Sequence, residues 1–296
     1  MKSPKLLTLA ATAALITSAS ASVTMDWVTV GNPGNAADTS GYGAVGYSYQ
    51  IGKYEVTNAQ YGAFLNSAAK TDSYGLYNSN MADFGITRDG DLGSYTYSVT
   101  SGMENRPVVC VSWFDAARMA NWMMNGQGSG STETGAYTLN GATSGIITKN
   151  AGAQVYIPTE DEWYKAAYYN AAIQTYSIYP NSQNTISTAD ANFASGASTN
   201  VGAYIDDPSS YGTFDQGGNV AEWVDAVSFG SLRGLRGGSW DDVDSLALYS
   251  SSPYNYDADP SLDGYGLGFR LASVPETSSL VLSVLASGVV LLRRKR

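Results

Sequence analysis

The 296-residue chain contains no histidine and a single cysteine, Cys110. Without an imidazole there is no Ser-His-Asp triad, no Cys-His nucleophile pair, no facial iron triad and none of the common zinc sites. One cysteine allows no internal disulfide. Set among apolar and β-branched neighbours in VVCVSW, Cys110 reads as a buried, inert thiol. Charge is also scarce: 14% of residues are ionic, and the net charge is −10. An acidic surface repels phosphate backbones, which argues against nucleic acid as a partner. What the chain has instead is 32 glycines, 22 tyrosines and 44% hydrophobic residues. That mixture suits a loop-rich extracellular surface over one large core or two small ones.

The two ends differ from the body. Lys2 and Lys5 precede an apolar run from Leu6 to Ile16 and then Ala19-Ser20-Ala21, the form of a secretory signal, residues 1–21, with an A-x-A cleavage site. At the other end, residues 274–296, Val274-Pro275-Glu276 leads into Leu280 to Leu292 and then Arg293-Arg294-Lys295-Arg296. As a helix, the 13-residue run would reach roughly 20 Å against a hydrocarbon core of roughly 30 Å. It is a poor permanent anchor, and its basic end places the terminus in the cytoplasm. This tripartite tail resembles the PEP-CTERM sorting signal of Gram-negative bacteria, although Thr277 stands where that family has a second proline. The resemblance implies removal by an exosortase-type enzyme, transient anchoring in the inner membrane, and release to the envelope or the extracellular space. The alternative is a marginal tail anchor. Without both ends the chain carries 10 basic and 25 acidic residues, a net charge of about −15.

Between them, residues 25–273 read as one domain. Lys53-Tyr54-Glu55-Val56 continues a period-two pattern from Tyr47, Tyr49 and Ile51 and is expected to be a strand. Thr57 to Gln60 has the form of a capping box and opens a helix to about Ala69. Val108 to Val111 is expected to be a second strand, followed by a helix from Ser112 and Asp115 to about Asn125-Gly126. Thr159 to Glu162 is a further capping box, for a helix to Tyr169. Gln127 to Gly152, rich in Gly, Ser, Thr and Asn, reads as a hairpin-bearing insertion long enough to present to a ligand. Short strands are expected near Arg233 to Leu235 and Phe269 to Leu271. Trp113, Trp122, Trp163, Trp223 and Trp240 read as core, and Arg236 and Arg270 as partners in buried salt bridges or carbonyl contacts. Asp257, Asp259 and Asp263 read as Asx turns, because their spacing is not that of an EF-hand loop.

The densest stretch is Asp215 to Trp240, DQGGNVAEW followed by RGGSW. GNVAEW offers backbone carbonyls and one carboxylate, a set that suits a hard cation. The series IGKYEVTNAQYGAFL, RPVVCVSWFDAARMANWM, YIPTEDEWYKAAYY, FDQGGNVAEW, LRGGSW and GLGFRLA resembles the formylglycine-generating enzyme, or sulfatase-modifying factor, domain family. The resemblance implies an α+β, C-type-lectin-like fold, loop-rich with short helices and strands. The family includes copper-dependent formylglycine generators and iron-dependent sulfoxide synthases. In the generators two cysteines follow the matched serine by three and eight residues. Here, after Ser239, those places hold Asp242 and Ala247, and Cys110 lies in another motif. Soft Cu(I) needs thiolates and the iron enzymes use histidines, so neither copper nor iron is expected and the centre reads as degenerate.

The resemblance also implies structural Ca²⁺ at Asp215, Gln216, Gly218, Val220 and Glu222, and a second site beginning at Asn192 and Phe193 whose downstream aspartate has no clear counterpart before Val201. The competing reading is that Asp215 and Glu222 cap turns and pair with arginines. Asp241, Asp242 and Asp244 follow RGGSW where the family's reactive groove would open and could meet a cation, a cationic ligand or a sugar. Three functions follow: an exported, non-catalytic module for an extracellular glycan or protein, an atypical formylglycine-generating or related oxidoreductase using Ser239 and Asp242, or a structural matrix component.

Overall fold

The computed structural model describes residues 22–252 and 257–274, so the segments expected to be a secretory signal and a sorting tail lie, all but Val274, outside the described residues. Three helices start where four-residue boxes start them: α1 (Asn58–Ala68), α2 (Trp113–Met124) and α3 (Glu160–Tyr168). In each, the hydroxyl of Thr57, Ser112 or Thr159 accepts the N–H three residues on, and the side chain of Gln60, Asp115 or Glu162 accepts the cap residue's own N–H. Two of the free donors at each helix start are thereby satisfied. Gly126, in the left-handed region, follows the end of α2.

Two four-stranded sheets frame the helices. In the first, Trp27–Val30 pairs with Tyr49–Gly52, which pairs with Ala272–Ser273, which pairs with Val155–Tyr156, all antiparallel. The two ends of the domain thus meet on one strand. In the second, Asp257–Ala258, Leu232–Arg236, Ala221–Ser228 and Leu267–Gly268 lie in that order, the last pair parallel. Small antiparallel ribbons, Ile86–Asp89 with Thr96–Val99 and Tyr169–Asn170 with Thr175–Tyr176, complete the regular structure. Tyr49, Ile51, Phe64, Val111, Trp113, Trp223 and Phe269 share one core between sheets and helices. All five motif tryptophans are buried. Among the described residues no helix is long and apolar enough to cross a membrane.

Several expected elements change. The strand expected at Lys53–Val56 ends at Gly52 instead. There the chain bends, so that Lys53 N–H reaches Asp26 O at 2.7 Å and Val56 N–H reaches Phe269 O at 2.9 Å, and the partners diverge. Val108–Val111 is buried but forms no strand. Val108 N–H bonds Val56 O at 2.8 Å, and the left-handed backbone of Cys110, φ 59°, then breaks the extension. Gln127–Gly152 is largely exposed but anchored to the core at its middle rather than free along its length. Its one bridge is Tyr137 to Lys149, while Ala136, Tyr137 and Leu139 are buried. Asn121 on α2 holds this segment by donating to Thr132 O and Tyr137 O and accepting from Tyr137 N–H. The longest strand, Ala221–Ser228, was hidden because its first four residues are buried on both faces and show no alternation.

Candidate functional site

Glu222 lies on strand Ala221–Ser228, and Arg270 follows the parallel partner strand Leu267–Gly268, where Gly268 stands opposite Glu222. The guanidinium grips the carboxylate with both arms, Nε to Oε2 at 2.7 Å and Nη2 to Oε1 at 2.6 Å. Trp163 on α3 adds its indole N–H to Oε2 at 2.8 Å. Arg270 also donates to Gly52 O at 3.0 Å and Phe214 O at 2.9 Å. Both side chains of the ion pair are wholly buried. Burial works against the Arg270 charge, yet Glu222, Glu55 and Asp215 around it hold the guanidinium above its usual value. Arg236, also expected in a buried ion pair, meets Glu160 of α3.

Two further acids crowd this node. Glu55 is 1% exposed, and its Oε2 accepts from Asn219 Nδ2 at 3.3 Å. Its Oε1 is buried without a hydrogen-bond partner. Burial, then repulsion from Asp215 and Glu222, pushes its carboxyl well up. Asp215, in the left-handed region at φ 59°, accepts Gly202 N–H at 2.6 Å, and burial pushes its carboxyl up to about 6. Sequence reasoning missed Glu55; the available signal was a lone acid in the otherwise core-forming KYEVT segment.

The expected metal ligands are brought together only in part. Gln216 spends its amide on Trp163 O, at 3.0 Å, and on the Thr213 hydroxyl. Glu222 spends both oxygens on Arg270 and Trp163. Asp215 faces Arg270 and Glu222 of the node, and the backbone at Gly218 and Val220 is buried. Asn192, expected in a separate site, bridges directly to Gly218. Its amide is filled by Ser195 Oγ at 2.5 Å, Ala197 O at 3.0 Å and Asn219 Oδ1 at 3.0 Å. Phe193 packs with Tyr179, Ala247 and Leu248. No group of three or more acidic or cysteine side chains converges as an ion cage among the described residues. The hard-oxygen donors that remain, with an orphaned buried carboxylate oxygen beside them, still fit a cation held by two carboxylates and carbonyls.

At RGGSW the chemistry differs. Asp242 Oδ2 accepts the Ser239 N–H at 2.6 Å and its hydroxyl at 3.1 Å. Ala247 is buried against Gly238. Asp244 accepts Leu246 N–H at 3.0 Å, starting the short 3₁₀ turn Ser245–Leu248. Among the described residues, Ser239, Asp242 and Ala247 lie outside the clefts at Glu55, at Asn35, at Asp207 and at Arg118. Beside them Trp240, Phe84 and the exposed Tyr265 form an aromatic run, with centroids 6.0 and 5.6 Å apart. Cys110 is buried, and burial, with help from Asp263 and Asp83, pushes its thiol up to about 12. Asp259 holds Ser261 N–H and Oγ in an Asx-type turn.

A model of the family described as the sulfatase-modifying factor enzyme 1-like domain matches residues 31–274. Among solved structures, CarF is similar at 23% identity, covering 86% of this chain and 99% of its own, with a TM-score of 0.59. Treponema denticola variable protein 1 is similar at 20% identity, with coverage of 87% and 98% and a TM-score of 0.60. PvdO from Pseudomonas aeruginosa is similar at 19% identity, with coverage of 85% and 92% and a TM-score of 0.50. At these identities the likeness is one of fold: mixed α+β, C-type-lectin-like, with short helices and strands amid loops. No curated protein matches the chain.

Proposed function

The chain belongs to the sulfatase-modifying factor enzyme 1-like domain family, and from that premise we propose that it is an exported, non-catalytic module for an extracellular glycan or protein ligand. The observation that carries this is the use of Asp242. Where the resemblance calls for a copper-binding thiolate, a carboxylate is committed to the Ser239 N–H and hydroxyl, and Ala247 fills the second place with a methyl group. Neither side chain can hold Cu(I) or reduce oxygen. The Tyr265–Phe84–Trp240 run and its neighbouring Asp83, Asp241 and Asp263 give this face aromatic surface and negative charge, suited to sugar hydroxyls or a cationic group. Residues 1–21 direct export, and the tail is the substrate of an exosortase-type enzyme.

The test is to incubate the purified domain with copper, oxygen and a sulfatase-type cysteine peptide and to look for aldehyde by mass spectrometry. No aldehyde is expected. Product that persisted in Cys110→Ser and vanished in Asp242→Ala would overturn the reading.

Calcium is the proposed scaffold ion, held by Asp215 with the carbonyls of Gly218 and Val220. Bound there, it would supply positive charge to a buried acidic node and tie the turn at Gly218 to the strand that follows. Chelation is expected to lower the melting temperature. At a calcium concentration of 100 times Kd the ion contributes about 2.7 kcal/mol. A protein that carries no metal and melts unchanged with chelator would remove calcium from the account.

A further inference from the structure

The buried guanidinium of Arg118, on α2, is only partly used. Its Nε donates to Glu133 Oε1 at 2.8 Å, and Nη2 donates to Ala142 O at 2.9 Å and to Glu133 Oε2 at 3.4 Å. Nη1 is buried and has no hydrogen-bond partner. A charged donor left unpaired in the interior is costly, so the free arm marks a place for an acceptor.

Arg118 lines a cleft of about 160 Å³, the volume of about five waters. α2 gives the cleft its buried part, Phe114, Asp115 and Arg118. Tyr74 stands over the guanidinium, its ring centroid 4.2 Å from Cζ, and is partly exposed. Thr143 and Ser261, both exposed, bring hydroxyls to the cleft, and Asp263 completes its wall. The loop that carries Ser261 and Asp263 is fastened to the start of α2 by Trp113 N–H to Pro260 O at 3.0 Å. The two carboxylates have oxygens to spare. The Ser112 N–H and hydroxyl both bond Asp115 Oδ2, and Asn78 bonds Asp263 Oδ2, so Oδ1 of each lies outside these bonds.

The signs select the ligand. An anion drawn to Arg118 meets Asp115 and Asp263, and a cation drawn to those acids meets Arg118. A neutral hydroxyl suits both, because it accepts from the guanidinium and donates its proton to a carboxylate. The ring faces of Tyr74 and Phe114 offer apolar surface to the C–H face of a sugar.

We propose that this cleft binds one sugar ring of a glycan. Arg118 Nη1 donates to a hydroxyl oxygen, Asp115 and Asp263 accept the protons of neighbouring hydroxyls, and Tyr74 covers the apolar face of the ring. The inference rests on the glycan reading above and adds a pocket outside the Tyr265–Phe84–Trp240 run.

Binding is measured by saturation-transfer NMR titration of the full chain, with glucose, galactose, mannose and N-acetylglucosamine as probes and acetate and glycine as charged controls. At least one of the sugars is expected to bind, and more tightly than either control. Its Kd is expected to rise about fivefold in Tyr74→Ala and about tenfold or more in Arg118→Met, and to stay unchanged in Tyr265→Ala. Arg118→Met strips Glu133 of its partner; should it fail to fold, Tyr74→Ala, a change at a partly exposed side chain, is read alone. A sugar that binds wild type and Tyr74→Ala equally would overturn this pocket and leave the glycan reading standing. Binding of acetate or glycine more tightly than any sugar would overturn the ligand class. A wild type that binds none of the four sugars would overturn the pocket and the glycan reading together.

Discussion

Ser112-Trp113-Phe114-Asp115 and Ser239-Trp240-Asp241-Asp242 share the pattern Ser-Trp-x-Asp and fold into the same box. In each, one aspartate oxygen accepts the serine N–H and hydroxyl, at 2.8 and 2.6 Å in the first and 2.6 and 3.1 Å in the second. After the first box a helix follows. Asp115 N–H returns to the Ser112 hydroxyl at 3.2 Å, and Ala116, Ala117, Met119 and Ala120 are buried against the core. After the second there is only a turn, Asp242 N–H reaching Ser239 O at 3.2 Å, with Val243 88% exposed. The box supplies a start signal, and apolar residues at helical spacing decide whether a helix propagates from it. Asp242 is thus held as a turn lock by the Ser239 N–H and hydroxyl.

The ionic node sets the scale for breaking this comparison. Arg270→Met leaves Glu222 buried without its partner and is expected to cost about 3–5 kcal/mol in urea denaturation. A loss below that of either box would mean that the node is hydrated.

Burial separates the two aspartates next. Burial pushes the Asp115 carboxyl up to about 6, against the opposing bonds from Ser112. A raised folded-state value means that its stabilising contribution is complete below the unfolded value near 4 and is lost as pH rises through about 6. The loss is of order 3 kcal/mol. Asp115→Asn should therefore gain on the wild type as pH rises from 4 to 7. Parallel curves for wild type and Asp115→Asn would contradict this.

Ser112→Ala removes a helix cap within the core and should cost about 1–2 kcal/mol. Ser239→Ala, with no helix to cap, should cost under about 1 kcal/mol and leave the melting profile otherwise unchanged. Equal costs would erase the distinction between cap and turn.

Much of this was legible in the chain. The helix starts at Thr57, Ser112 and Thr159 were readable because a capping box is a local contract between residues three apart. The burial of Cys110 and of the five tryptophans was readable from apolar neighbours. Gln127–Gly152 was not, since its composition gives no sign that Asn121 pins it to α2. Nor was the long strand at Ala221, whose two-sided burial removes the alternation that marks a strand.

Residue types and short spacings by themselves determined that this protein has no imidazole and no thiolate pair, and where the three capped helices of the described residues start, because those properties need no distant partner. Only the tertiary structure decided which acid each cation would meet. Glu222 and Arg270 are 48 residues apart and face each other because two strands align in parallel, while Glu55 reaches Asn219 across 164 residues and is left with a free oxygen. Such pairings depend on sheet register and on what burial excludes, and neither is written in any local stretch of chain.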